Sequence, residues 1–296
     1  MLAPHHHKRL LSNDVKRCVV ALSGGADSIA LLHCVKNLGL PVPVVAIHIN
    51  HGLQDEAGDW QQFCQRFCNS LQVELSCVVV DVKKKGSIEE SARLARYEAF
   101  ERFLVPGDLL LLAHHADDQI ETALLNLLRG SAAYGVRGMP AERKIGRAVL
   151  YRPIIDSARS DVLAYCRAHE LEWIEDGSNQ DESLDRNFLR HAVLPGLKVR
   201  FPALKSAFLN AIGRDSGVSS LIADVADADL EMAMSTDGGI RLDVIGEFSV
   251  LRVVNLLRQF LGQKDVPFPT DRQLRECAEV MVAAREDARP SLKWSL

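Results

Sequence analysis

Cys18-Val19-Val20-Ala21-Leu22-Ser23-Gly24-Gly25-Ala26-Asp27-Ser28 decides how the rest of this chain is read. Val19, Val20 and Leu22 are apolar and mostly β-favouring, as in a parallel strand covered on both faces. Gly24 and Gly25 lack Cβ, so the chain can turn sharply and a ligand can approach the backbone. Asp27 or Ser28 is placed to cap a helix carried by Ile29, Leu31, Leu32 and Val35. A helix start after a glycine turn offers free N–H groups and a positive dipole end, which suits phosphate. An ordinary strand-to-helix turn needs neither two glycines between hydroxyl residues nor an acid alongside. Ser23, Gly24, Gly25, Ala26, Asp27 and Ser28 are therefore the candidate phosphate loop. The loop is not of the Walker type, because no Gly-Lys-Ser/Thr follows the glycines, and it is not GxGxxG.

Outward from this unit, strand and helix signals alternate. Val42 to Ile49 reads as a second strand, Trp60 to Leu71 as a helix, Val73 to Val82 as a third strand and Ile88 to Leu104 as a helix. Leu109 to Ala113 is a fourth strand and Ala116 to Leu128 a helix. Repeated βα units give a parallel sheet with helices on both faces, and ligands bind at the carboxyl ends of its strands. A helix is expected up to about His169, and a basic helix opening at Arg186 and ending near Pro195. Ala203 to Met234 reads as one long helix with a break near Gly217, Ile240 to Val244 as a short strand, and Phe248 to Leu261 and Arg272 to Ala284 as helices. The change of pattern places a domain boundary near 215, giving 1–215 and a smaller, mainly helical 216–296.

Polar clusters follow the strand ends. His48-Ile49-Asn50-His51-Gly52-Leu53 either lines a nucleotide pocket or is a loop with a helix cap. Glu89 and Arg93 have the spacing of a surface ion pair on a helix. In His114-His115-Ala116-Asp117-Asp118-Gln119-Ile120-Glu121, Asp118 and Glu121 share one helix face. Two carboxylates near such a loop suit Mg²⁺ binding, grip on an amine or general-base work; two His with two Asp also suit a transition metal. First-turn acids of a helix are the plain alternative, and Asp117 is the expected cap.

Ser23 to Ser28 resembles the SGGxDS loop of the PP-loop ATP pyrophosphatases, and the six residues match without a gap. The resemblance narrows to the tRNA(Ile)-lysidine synthetase family at His48–Leu53 (HxNHGL), Glu90–Tyr97 (ExARxxRY) and His114–Thr122 (HHxDDxxET). It continues through Arg129-Gly130-Ser131, with Ala132 where that family usually has glycine, and Trp173–Asn179, with Gly177 where it usually has proline. A last match, Arg186-Asn187-Phe188-Leu189-Arg190, carries the likeness to about Pro202.

This resemblance implies an α/β fold: a parallel-sheet PP-loop domain, adenine nucleotide alpha hydrolase-like, with a second, smaller, mainly helical domain. It implies that ATP adenylates the C2 oxygen of the wobble cytidine in an isoleucine tRNA with a CAU anticodon, and that the amine of free L-lysine displaces AMP to form lysidine. It assigns ATP to Ser23–Ser28, His48 and Asn50, and Mg²⁺ to Asp27 and Asp118. Asp118 and Glu121 hold the lysine or act as base, while Arg93 and Arg129 face the developing anion. Arg152, Arg186, Arg190, Lys198 and Arg200 are the expected tRNA contacts. Two other readings are a different PP-loop tRNA-modifying enzyme, such as a thiolase, and a non-enzymatic nucleotide-binding protein.

Composition fits an ordinary globular protein, 47% apolar and 25% charged in 296 residues. The net charge of −4 is segregated: Arg129 to Arg152 holds six Lys or Arg and one acid, whereas Asp215 to Glu247 holds eight acids and one base. Such segregation points to a polyanion partner on one face. Seven scattered cysteines without CxxC fit reduced thiols in the cytoplasm and disfavour a cluster-bearing thiolase. No apolar run approaches a membrane span and no signal peptide is legible. No pattern sets the oligomeric state; a homodimer is entertained alongside a monomer. Leu292, Trp294 and Leu296 alternate like a strand with no turn after it, which leads to the expectation of a further C-terminal domain; pairing with Ile240–Val244 is the alternative.

Overall fold

The structure, a computed structural model, describes residues 1–52, 57–81, 88–130, 136–264 and 269–284, with backbone alone at 57, 88, 89, 178 and 179. The expected Glu89–Arg93 pair, the position of Ala132 and the alternating Leu292, Trp294 and Leu296 lie outside the described residues. Contacts divide the chain between Ile212 and Gly213.

In the first unit, α1 (Pro4–Leu10) precedes β1 (Arg17–Ala21), α2 (Ala26–Asn37), β2 (Val44–Asn50), α3 (Ala57–Ser70) and β3 (Glu74–Val79). Then come α4 (Ile88–Phe103), β4 (Asp108–Leu111), α5 (Ala116–Leu128), β5 (Glu142–Ile145), β6 (Ala148–Tyr151) and α6 (Arg159–Ala168). The six strands form one sheet in the order β3-β2-β1-β4-β6-β5. All neighbours are parallel except β5, an antiparallel edge strand paired through Arg143 with Leu150. The order turns at β1, which has β2 on one side and β4 on the other. The crevice at their carboxyl ends is where such sheets bind ligands.

Strand alternation builds two cores. Cys18, Val20, Leu109 and Leu111 pack with Ile29 and Leu32 of α2 and Val162 of α6. Val19, Leu110 and Leu150 pack with Phe100 of α4 on the other face. The central strands β1 and β4 are apolar on both faces because each face is covered by helices. Asp108, 3% exposed, opens β4 and accepts from Arg17 Nε (2.9 Å) and Nη2 (2.6 Å), fixing the start of β4 against β1.

The basic segment departs from expectation. It breaks into α7 (Asp185–Phe188), a π-helical stretch at Leu189–Val193 and α8 (Leu194–Arg200). Pro195 does not end a helix here; it sits in the first turn of α8, where its missing N–H costs nothing. A second correction concerns α9 (Leu204–Ala233), which runs without a break at Gly217, because a lone glycine only weakens a helix. The expected strand at Ile240–Val244 is instead a single bridge between Met234 and Ile240 followed by α10 (Leu242–Ile245).

The second unit continues through α11 (Val250–Gly262) and α12 (Asp271–Val282), capped by Ser249 and Thr270. Its core is Leu230, Ala233, Ile245, Val253, Leu256, Leu274 and Ala278. Among the described residues no helix is long and apolar enough to cross a membrane.

Candidate active site

At the carboxyl end of β1 the chain leaves Ala21 and turns through the two glycines into α2. Gly24 has φ +92°, a conformation that L side chains rarely adopt, and an added Cβ would lie 2.8 Å from Ile174 Cδ1. Its carbonyl also accepts from the Ile174 N–H (2.9 Å), so this glycine belongs to the fold. Gly25 is different: an added Cβ would meet only Ser23 Oγ, at 3.7 Å, and Gly25 lines an open cavity. The cap expected from Asp27 or Ser28 is absent; Gly25 itself is the N-cap residue, without a side-chain bond. Ser28 Oγ instead donates to the Gly25 carbonyl (3.0 Å) and accepts from the Ser23 N–H (3.2 Å), which closes the loop on itself. The first N–H groups of α2 are thereby left without a capping side chain, the arrangement that receives an anion.

The cavity measures about 630 Å³, within the range of small-molecule sites. Ser23, Gly25, Asp27, Ser28, His48, Asn50, Arg93, Asp118, Arg186 and Arg190 all line it, so the structure gathers most of the expected site residues from five separate segments. Asp27 Oδ1 is buried without a hydrogen-bond partner, and Oδ2 lies 3.7 Å from His115 Nε2. His48, 5% exposed, bonds the Leu22 carbonyl through Nδ1 (2.8 Å), and burial pushes its pKa down, so it is neutral at pH 7. Asn50 lines the cavity, and its Oδ1 accepts from the Gly52 N–H at 2.9 Å, closing a turn.

The carboxylate pair is held in a way the sequence did not indicate. The N-cap of α5 is His115, not Asp117: His115 Nδ1 accepts from the Asp118 N–H (3.3 Å), and Asp118 Oδ2 accepts from the His115 N–H (3.0 Å). Burial would raise the Asp118 pKa, but His115, Arg186, His114 and that backbone bond outweigh it and hold it below the usual carboxylate range. Asp117, its side chain 13% exposed, accepts from the Arg159 N–H (2.9 Å) and from Lys198. Glu121, 1% exposed, lies beneath the cavity surface. Arg186 Nε reaches its Oε2 (2.8 Å), while Arg190 reaches Oε1 through Nε (2.7 Å) and Oε2 through Nη2 (2.8 Å). Arg190 Nη2 is also 3.3 Å from Asp118 Oδ1.

The residues expected to meet tRNA make the following contacts within the chain. Arg186 and Arg190 turn inward to the carboxylates rather than outward to phosphate, because the short helix and π stretch put both on the face packed against α5. Arg152, 3% exposed, donates to His114 Nδ1 (3.0 Å) and to the Pro140 carbonyl (2.7 Å). Lys198 is engaged with Asp117, and Arg200 is exposed with its guanidinium 5.5 Å from the Phe201 ring. Arg129, expected beside the developing anion, is exposed, pairs with Asp185 (2.8 Å) and is not part of the cavity lining. Arg93 does line the cavity, 5.6 Å from the Tyr97 ring, with Arg143 stacked at 4.8 Å. Burial would raise the Tyr97 phenol, but hydrogen bonding to Arg143 and the charges of Arg152, Arg93 and Arg143 lower it.

Sequence reasoning did not single out Trp60, Arg96 and His114 as cavity residues, and named His51 only as part of its stretch. His51 Nδ1 is buried without a partner, and burial, then Arg96, push its pKa down. His114 sits among Arg152, Arg186 and Arg96, and burial first and these charges second push its pKa down to about 3, although Asp118 opposes them. Both histidines stand inside motifs already quoted, which was the available signal.

A glycine loop with uncapped N–H groups at the switch point of a mostly parallel sheet defines a nucleotide-binding α/β protein, and the chain belongs to the PP-loop family, whose PP-loop domain matches residues 3–197. ATP use follows from that membership. A "TilS substrate binding domain" matches residues 241–295. Over 296 residues the chain is 35% identical to the tRNA(Ile)-lysidine synthase of Proteus mirabilis, covering 96% of this chain and 67% of that one. It is 31% identical to that of Legionella pneumophila (100% and 68% covered) and 38% identical to that of Alkalilimnicola ehrlichii (93% and 62%). The chain is thus a member of the tRNA(Ile)-lysidine synthase family, and it spans roughly two thirds of the length of these relatives. The fold is also similar to the U34-tRNA thiolase NcsA from Methanococcus maripaludis, solved with its iron–sulfur cluster: TM-score 0.58, 18% identity, 71% of this chain and 76% of that one.

Proposed function

We propose that this protein ligates free L-lysine to C2 of the wobble cytidine in the CAU anticodon of an isoleucine tRNA, consuming ATP and releasing AMP and pyrophosphate. The observation that carries this reading is the single cavity that holds both the open side of Gly25 and the carboxylate of Asp118, in a chain of this family.

Ser23, Gly25 and the first N–H groups of α2 would grip the pyrophosphate as leaving group. Asp27 fits a magnesium ion, since one of its oxygens is buried and unpartnered and a hard cation takes oxygen ligands; Asp118 is the second candidate ligand. Bound there, the ion would supply positive charge to the phosphates. Arg93, with no side chain between it and the cavity, faces the charge that develops on adenylation. Asp118 and Glu121 would orient the lysine amine and receive its proton. In the arrangement described here both are engaged by Arg186 and Arg190, so lysine binding would require that segment to yield part of its grip. The thiolase reading finds less support, because none of the seven cysteines lines the cavity and burial pushes Cys18, Cys64 and Cys68 up to about 12.

The test is incubation with ATP, an isoleucine tRNA transcript bearing CAU and either labelled lysine or a sulfur donor. Lysine-dependent label in the tRNA, with AMP release, is expected. Sulfur incorporation instead would favour the thiolase, and ATP binding without turnover would favour a nucleotide-binding protein.

A further inference from the structure

We propose that His5, His6 and Asp156 form a site for a divalent transition-metal ion, zinc by its ligand set, outside the cavity assigned to ATP. The ligand atoms of these three side chains all lie within 4.8 Å of one another. His6 is built in rather than displayed: it is 2% exposed, with Nδ1 2.5 Å from Tyr151 Oη and Nε2 2.6 Å from Asp156 Oδ1. A metal-binding histidine is commonly fixed through its second ring nitrogen by an outer partner, and Tyr151 occupies that position here. His5 Nε2 stands 3.5 Å from Asp156 Oδ2, on the open side. The side chains of His5 and Asp156 are 66% and 41% exposed, so an ion can enter and a water can complete a fourth position.

Two imidazoles and one carboxylate select against Mg²⁺, which prefers oxygen ligands in an octahedron, and suit zinc. Ligands at about 2.0–2.1 Å in a tetrahedron stand roughly 3.3 Å apart. The 2.6 Å contact between His6 and Asp156 would therefore open by less than about 1 Å, the ion replacing the shared proton, which is released to solvent. Arg9, whose guanidinium is 5.9 Å from the Tyr151 ring centroid, is neutralised by Glu142 and Asp14 and so does not oppose the ion.

The site joins two parts of the fold. His5 and His6 belong to α1, and Asp156 follows β6. The next residue, Ser157, accepts the Ala116 N–H at 2.9 Å and donates to the Met1 carbonyl at 2.8 Å. An ion at this point would tie α1 to the loop that supports the start of α5, the helix bearing Asp117 and Asp118.

Chelator-treated full chain should take up one equivalent of Zn²⁺ in calorimetry with Mg²⁺ in excess. His5→Ala and Asp156→Asn, at exposed positions, should each weaken binding at least tenfold, and Tyr151→Phe by about 10- to 100-fold. Substituted with Co²⁺, the protein should show visible d–d bands without thiolate charge transfer. The proposal is overturned by absence of Zn²⁺ uptake, by uptake unchanged in both His5→Ala and Asp156→Asn, or by thiolate bands assigning the ion to cysteine.

Discussion

Arg190 holds both oxygens of Glu121, with Nε 2.7 Å from Oε1 and Nη2 2.8 Å from Oε2. The carboxylate is 1% exposed, and this fork and Arg186 take up its oxygens. Arg190→Gln should cost about 3 kcal/mol of stability, because it leaves the buried carboxylate with Arg186 alone to compensate it. Arg190→Gln with Glu121→Gln should recover most of the loss, since a neutral pair strands no charge. Urea unfolding of both single variants and the double gives the coupling; simple additivity would show that the pair is not interdependent.

The adjacent glycines should respond differently to alanine. Gly24→Ala places a side chain at φ +92° against Ile174 and should destabilise the fold by more than about 1 kcal/mol. Gly25 has φ −73° and open space before it, so Gly25→Ala should fold at least as stably as the parent, yet bind ATP at least tenfold more weakly through lost approach to the phosphates. Thermal unfolding and ATP titration of both variants separate these effects. Unchanged ATP affinity in Gly25→Ala would remove the loop from the nucleotide site.

His114 should leave a mark on the pH dependence of stability. Its folded-state pKa is pushed down to about 3 from the ordinary 6.5. Below pH 6.5 the unfolded chain takes up a proton that the folded chain refuses until pH reaches about 3. Stability from this group is therefore complete above pH 6.5 and is lost as pH falls, by up to about 1.4 kcal/mol per pH unit. His48, also held down by burial, contributes with the same sign. His114→Asn, which can still accept from Arg152, should flatten the acid limb of urea midpoints measured between pH 4 and 7. An unchanged slope would mean that other groups carry it.

Much of the catalytic unit was legible because its elements are strongly patterned. Ala116–Leu128 was expected as a helix and is α5. Apolar runs at Cys18–Val20 and Leu109–Leu111 read as buried strands because both faces of the sheet are covered. The β5–β6 hairpin was not foreseen, since Glu142–Lys144 is a charged, exposed edge that carries little apolar signal. The unbroken α9 and the helical Leu242–Ile245 reversed local readings, because a single glycine or a short apolar run decides little without its packing partners.

By itself the sequence determined the chemistry available: a glycine loop between hydroxyls, two acids one helical turn apart and a set of arginines, all after strands of one sheet. Those are local facts, set by residue type and by spacing along a strand or helix. Only the tertiary structure decided where each charge points. Arg186 and Arg190 lie 65 or more positions from Glu121 in the chain, and the turn of α7 into a π stretch aims both at one buried carboxylate. Arg152 and Arg129, equally basic in the sequence, ended in a bond to His114 and in a surface pair with Asp185. A guanidinium is recruited by whichever acceptor desolvation leaves most in need of it, and that need arises only when distant segments close over one another.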